Sequence, residues 1–350
     1  MSGLAGTVAH RAGRKARAHA WVWSGLWGLV LTALAAPSTR AAGPLKIGEV
    51  SYVAADAWFG RYGLEASPGP TAGTRRYASA WSDIVLERDS REIMYDDLRV
   101  FLGDAVAVRE GQFYLSALDA EALFAPLLRS RDYAATARPL RLIVLDAGHG
   151  GQDSGTSNPR LKLVEKDLTL DVVRRLGEIL RSQGFVVRYT RENDTYVSLR
   201  ERADFARSAA ADLFVSIHFN ATDAKATVRG TETYVLTPRH QRSTASENRE
   251  AGDAVEQAGN AADPWNAVLG FQMHRALKGE LATFDRGLKR ARFAVLRLID
   301  CPGVLIESGY LSNDAEARRI ATPAYRAQLA QAVAVGILNY ANRVAAARQP

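Results

Sequence analysis

The chain has 350 residues, 47% of them hydrophobic and 24% charged, with a formal net charge of +7 and one cysteine. That length allows more than one domain around a sizeable core, and the composition excludes a chain disordered throughout or a collagen-like repeat. The lone Cys301 excludes an internal disulfide, and its place between Asp300 and Pro302, just before an apolar run, favours packing over reactivity.

Residues 1–42 differ from the rest. His10, Arg11, Arg14, Lys15 and Arg17 precede an apolar run over 21–36, followed by Ser38-Thr39-Arg40-Ala41-Ala42. That order of basic, apolar and small residues predicts a secretory signal peptide cleaved near Ala42. The run is short against the roughly 20 residues that cross a bilayer and holds Ser24, Gly25 and Gly28, which argues against a retained anchor. The segment carries five lysines and arginines and no acidic residue, so removing it from the +7 leaves +2. The basic balance then marks export to the periplasm or cell envelope and is not a nucleic-acid footprint.

Residues 43–130 read as a small β-rich domain of their own. Strand-like segments at 46–53, 84–88, 93–95, 98–102, 105–109 and 112–116 alternate with turn signals such as Pro68-Gly69-Pro70 and Gly103-Asp104. A short helix follows, with Asp119 as N-cap and Leu123, Phe124, Leu127 and Leu128 as its apolar residues. Pro126 is expected to kink or shorten it. Residues 131–139 read as a linker.

From 140 to 345 the pattern alternates. Leu142-Ile143-Val144-Leu145 is an apolar strand, 166–183 an amphipathic helix ended by Gly184, and 185–189 the next strand. A helix over 199–211 and strands at 213–217 and 231–236 follow. Then come a helix over 271–281, strands at 293–298 and 304–306, and a long Ala-rich helix over 324–346. Such alternation predicts a wound α/β domain, with a mainly parallel twisted sheet and helices on both faces.

Three apolar runs end in residues able to do chemistry. The first leads through Asp146-Ala147-Gly148 to His149, the run 213–217 to His218, and Val304-Leu305-Ile306 to Glu307. The crevice beyond the carboxyl ends of parallel strands is where open α/β sheets bind ligands, so these side chains can converge. Glu165 stands at the start of the 166–183 helix, where a carboxylate can point back over the same rim. Taken singly, each has a plainer explanation: a loop or core histidine, or a carboxylate favoured by a helix dipole. Two imidazoles and a carboxylate together suffice for a zinc ion with one open position, leaving a second carboxylate as base. A buried Glu307 without metal or hydrogen bonds would be costly, which favours function there. Asp146 and Asp153 are both candidates to accept the second ring N–H of His149.

The motifs Leu145-Asp146-Ala147-Gly148-His149-Gly150-Gly151, Glu165-Lys166-Asp167, Ser216-Ile217-His218-Phe219-Asn220-Ala221 and 306–313 (Ile-Glu-Ser-Gly-Tyr-Leu-Ser-Asn) resemble the zinc-dependent N-acetylmuramoyl-L-alanine amidases of type 3. Arg286-Gly287-Leu288-Lys289 with Phe293-Ala294-Val295-Leu296 adds to that resemblance, which spans about 140–340. It implies that His149, Glu165 and His218 bind Zn2+ and that Glu307 is the catalytic carboxylate. The implied substrate is peptidoglycan, cut between N-acetylmuramic acid and the L-alanine of the stem peptide. Asn220 is a candidate substrate contact, and Arg286 and Lys289 are candidates to grip stem-peptide carboxylates. Phe219 stands where the family often has a small residue, which would narrow the cleft floor. In some relatives an insertion matching the polar stretch 239–263 blocks the zinc until a partner removes it, so a regulatory lid with an activator protein is a further expectation. The region before Pro139 faintly resembles the β-rich domain related to the amine-oxidase N-terminal domain; with no histidine over 43–139, that likeness implies no copper. Competing readings are a zinc carboxypeptidase or deacylase on another amide, and a wall-binding protein with a degenerate site.

Overall fold

The computed structural model describes residues 45–222 and 227–349, and the signal peptide expected over residues 1–42 lies outside them. None of the described helices is long and apolar enough to cross a membrane.

In chain order the strands are β1 (Leu45–Ile47), β2 (Val50–Ala54), β3 (Glu65–Pro68), β4 (Thr74–Ala78), β5 (Asp83–Glu87), β6 (Glu92–Tyr95), β7 (Leu98–Phe101), β8 (Ala107–Arg109) and β9 (Gln112–Ser116). They continue as β10 (Leu142–Ala147), β11 (Ser157–Asn158), β12 (Leu163–Val164), β13 (Val186–Tyr189), β14 (Leu213–Asn220), β15 (Thr231–Leu236), β16 (Asp285–Ala291) and β17 (Gly303–Tyr310). One sheet takes eleven of them in the order β13-β10-β14-β17-β15-β16-β7-β6-β5-β4-β3. The strands from β13 to β17 in that order are parallel, β15 is antiparallel to β17, and β15, β16 and β7 are again mutually parallel. An antiparallel meander completes the sheet to β3.

Side chains alternate along a strand, so the apolar runs feed two cores. Ile143, Leu145, Val215, Ile217, Val304 and Ile306 pack on one face with the helices Glu165–Ser182, Asp263–Leu281 and Pro323–Arg348. Val144, Phe214 and Leu305 pack on the other with Ala203 and Ala206 of Leu199–Ser208 and Val295 and Leu296 of Ala294–Arg297. The expected α/β architecture with helices on both faces is therefore present. Each fully buried leucine, isoleucine or valine stabilises it by roughly 1.5–3 kcal/mol. The helix Leu199–Ser208 starts on a capping box between Ser198 and Glu201, which satisfies its first amides.

The β-rich region expected before Pro139 is present, but it is not set apart. Strands β3 to β7 extend the same sheet, joined where Leu288 of β16 pairs with Val100 of β7. Tyr77, Ile84 and Phe124 share a core with Leu145 and Val172. The expected linker begins in a 3-10 helix, Ser130–Thr136, and Trp265 donates to Thr136 Oγ1 at 3.1 Å. Residues 293–298, read as a strand, hold the helix Ala294–Arg297; the strand lies earlier, in β16, where charged side chains obscured it. Ser116 caps the helical stretch in place of Asp119, accepting the Asp119 N–H at 3.0 Å, and Asp119 turns inward. Pro126 follows a π-helical turn, Ala120–Phe124, so a widened turn accommodates it. Cys301 is buried, and burial pushes its thiol up to about 12, which fits a packing role.

Candidate metal centre

β10, β14 and β17 are neighbours and parallel, so their carboxyl ends share one rim. Register pairs Ala147 with Ile217, Ile217 with Ile306, and His218 with Glu307. His149 lies two residues beyond β10. The short hairpin of β11 and β12 turns the chain back, so that Glu165, the first residue of its helix, points over the rim. One donor atom each from His149, Glu165 and His218 lie within 4.8 Å of one another. His149 Nε2 is 3.2 Å from Glu165 Oε2, and His218 Nδ1 is 3.0 Å from Glu165 Oε1. The imidazole rings stand edge to face, 4.9 Å apart.

Glu165 is buried and further held by backbone N–H groups, Thr156 to Oε2 at 2.8 Å and Phe219 to Oε1 at 2.9 Å. Burial alone would raise its pKa, but the two histidines win and hold it down at about 2. Burial likewise pulls both histidines down, yet Glu165 leaves each above its ordinary value, with Asp153 helping at His149 and Glu307 at His218. Asp153 is the carboxylate that takes His149 Nδ1, at 2.9 Å. Asp146 instead pairs with Arg202 at 2.6 Å and accepts from Ser216 Oγ at 2.7 Å. One nitrogen of His149 is thus oriented by a carboxylate while the other faces the cluster.

The turn is tight. His149 has a φ of +62°, a left-handed conformation uncommon for a residue with a side chain. Gly148 packs against the His218 ring: a Cβ there would lie 2.6 Å from both its nitrogens. The cluster lies in a cleft of about 450 Å3 that Leu199, Phe293 and Val295 also line.

Glu307 also lines the cleft, and its Oε2 is buried with no hydrogen-bond partner among the described residues. Burial pushes its pKa up to about 7; His218 opposes this, and Glu165 and Glu232 add to it. The nitrogen and oxygen donors, their closeness and this orphaned oxygen fit a zinc ion beside a general base.

Glu232, which sequence reasoning missed, pairs with Glu307 across β15 and β17. It is buried, and its Oε1 accepts from Arg286 Nε at 2.6 Å, Lys289 Nζ at 2.9 Å and Tyr310 OH at 2.7 Å. Burial would raise it, but Lys289, Tyr234 and Arg286 hold it near 2. A carboxylate inside an otherwise apolar and hydroxylic strand was the available signal. Arg286 and Lys289, expected to grip substrate carboxylates, both meet Glu232, and neither is among the residues that line the cleft. Asn220 does line it, donating through Nδ2 to Tyr310 OH at 3.3 Å. Phe219 is buried at its floor.

In the segment 239–263, where a lid is expected, no residue is among those that line the cleft. It is fastened to the β-rich region. Gln241 Nε2 and Arg290 Nη1 both reach the buried Asp119 at 3.0 Å, Arg249 pairs with Asp104 at 2.8 Å, and Arg91 donates to the carbonyls of Ser243, Thr244 and Ser246. These charges meet only when the strands pair, so no local pattern announces them.

Residues 143–339 match the family described as N-acetylmuramoyl-L-alanine amidase. The N-acetylmuramoyl-L-alanine amidase LytC of Bacillus subtilis is 35% identical over 198 residues, covering 57% of this chain and 35% of LytC. The amidase AmiA of Escherichia coli K12 is 31% identical over 222 residues, covering 57% of this chain and 76% of AmiA. A solved amidase of Clostridium difficile 630 is 30% identical, covering 59% of this chain and 98% of its own, with a TM-score of 0.48. The chain spans about a third to a half of the length of several curated relatives it matches.

Proposed function

Over residues 143–339 the chain belongs to the N-acetylmuramoyl-L-alanine amidase family, and from that premise we propose that it is a zinc-dependent hydrolase of peptidoglycan. Its substrate bond is the amide between the lactyl group of N-acetylmuramic acid and the L-alanine of the stem peptide. It acts outside the cytoplasm, in the periplasm or cell envelope, after the signal peptide of residues 1–42 is removed. The observation that carries the reading is the closeness of one donor atom each from His149, Glu165 and His218, within 4.8 Å, in the cleft that Glu307 shares.

In this proposal His149, Glu165 and His218 hold the zinc. When bound, zinc polarises a carbonyl and makes water more acidic. Asp153 keeps a proton on His149 Nδ1 and so leaves Nε2 as the donor atom. Glu307 takes a proton from the attacking water on Oε2, which has no hydrogen-bond partner among the described residues, and returns it to the leaving amine. Leu199, Phe293 and Val295 give the cleft an apolar flank. Asn220, which lines the cleft, contacts the substrate in this proposal.

Incubating the protein with purified peptidoglycan and identifying the fragments by mass tests this. Stem peptides that begin with a free L-alanine support the amidase. Loss of only a terminal amino acid would make it a carboxypeptidase, and intact sacculi that retain bound protein would make it a wall-binding protein.

A further inference from the structure

Two arginines behind the His149 turn take no part in the cleft. Arg191 and Arg202 are 4% and 2% exposed, yet between them they hold the carbonyls of three consecutive residues. Arg191 donates through Nε to Ala147 O and through Nη2 to Gly148 O, both at 2.9 Å. Arg202 donates through Nη1 to Ala147 O and through Nη2 to His149 O, both at 2.7 Å. Arg191 Nη2 also reaches Lys166 O at 2.7 Å, one residue from Glu165.

In a strand successive carbonyls point to opposite sides, so three turned to one side need donors there. The two guanidiniums are those donors. They hold His149 in its left-handed conformation, which for a residue with a side chain costs about 1–2 kcal/mol. They also tie that turn to the first turn of the Glu165 helix. Among the described residues only one carboxylate, Asp146, pairs with the two cations directly, through Arg202. Such a buried excess of charge is commonly less stable than an apolar core of the same volume, so stability alone does not account for it.

We propose that Arg191 and Arg202 are positioning residues that set the metal affinity of His149 and Glu165 by fixing the 147–149 turn against the start of the Glu165 helix. This rests on the zinc reading above. The pair touches neither the donor atoms nor the cleft; it acts through the backbone that carries them.

Zinc dissociation constants of the full chain, read by competition with a chromophoric chelator, test the proposal. Arg191→Met and Arg202→Met are expected to weaken zinc by about 10–100-fold, the usual effect of removing a group that orients a ligand. Arg191→Lys and Arg202→Lys keep the charge but cannot span two carbonyls, and are expected to recover only part of that loss. Arg290→Met is the control: Arg290 is as buried and pairs with Asp119, away from the turn, so its loss lowers stability and leaves zinc affinity unchanged. If the methionine variants do not fold, the lysine variants give the same reading. Folded variants of Arg191 and Arg202 with wild-type zinc affinity would overturn the inference alone, as would equal weakening in Arg290→Met. A wild type that takes up no zinc would overturn the metal reading and this inference with it.

Discussion

Gly148→Ala adds one methyl group at the point where backbone and metal site come closest. Its Cβ would lie 2.6 Å from Nδ1 and Nε2 of His218 and closer still to Cε1. An unstrained contact there is about 3.5 Å, so the ring or the turn must withdraw by roughly 1 Å. Neither moves freely, because His218 Nδ1 is 3.0 Å from Glu165 and the Gly148 carbonyl is held by Arg191 and by Thr169 Oγ1, each at 2.9 Å. Overpacking of this kind costs about 1–3 kcal/mol of stability, and a 1 Å displacement of a functional group costs on the order of 100-fold in rate. The assay pairs zinc content after dialysis with release of stem peptides from peptidoglycan. Gly177→Ala, in the Glu165 helix, is the comparison: its Cβ would crowd the Tyr189 hydroxyl from β13, so stability falls while zinc and turnover persist. A Gly148→Ala protein with full zinc and full activity would refute the steric argument and the placement of His218.

Other consequences follow from the same geometry. Glu307→Gln is expected to keep zinc and lose about 10²–10⁴-fold in turnover, whereas His218→Ala loses the metal; metal analysis beside activity separates the two. Glu232→Gln leaves Arg286 and Lys289 without their carboxylate and is expected to cost about 3 kcal/mol in urea unfolding, with an unchanged midpoint refuting the pairing. Burial pushes Asp263 up to about 6, above the ~3.9 of an unfolded chain. The fold therefore favours the protonated acid, and this contribution is full below about pH 4 and lost as pH rises through about 6. Asp263→Asn should flatten that part of the decline in melting temperature, and an unaltered profile would refute it. Deleting residues 239–263 strips partners from Asp119 and Asp104 and is expected to lower the melting temperature with no gain in peptidoglycan hydrolysis; a gain would restore the lid.

Sequence by itself determined what depends on near neighbours along the chain. The short continuous apolar runs before His149, His218 and Glu307 announced buried strands, and the spacing of Leu168, Val172 and Leu176 announced the helix that Glu165 begins. Four residues could be singled out because three close such runs, where open α/β sheets bind ligands, and the fourth starts the helix that follows the first. Only the tertiary structure decided what depends on which strands pair. Register brought His218 beside Glu307 and Glu232 beside Glu307, and Glu232 meets Arg286 and Lys289. The pairing of β16 with β7 merged the β-rich region into the catalytic sheet, and Asp119 and Asp104 took partners from residues 239–263. A charge far off in sequence leaves no periodic trace, because its partner is chosen by sheet order and not by spacing along the chain.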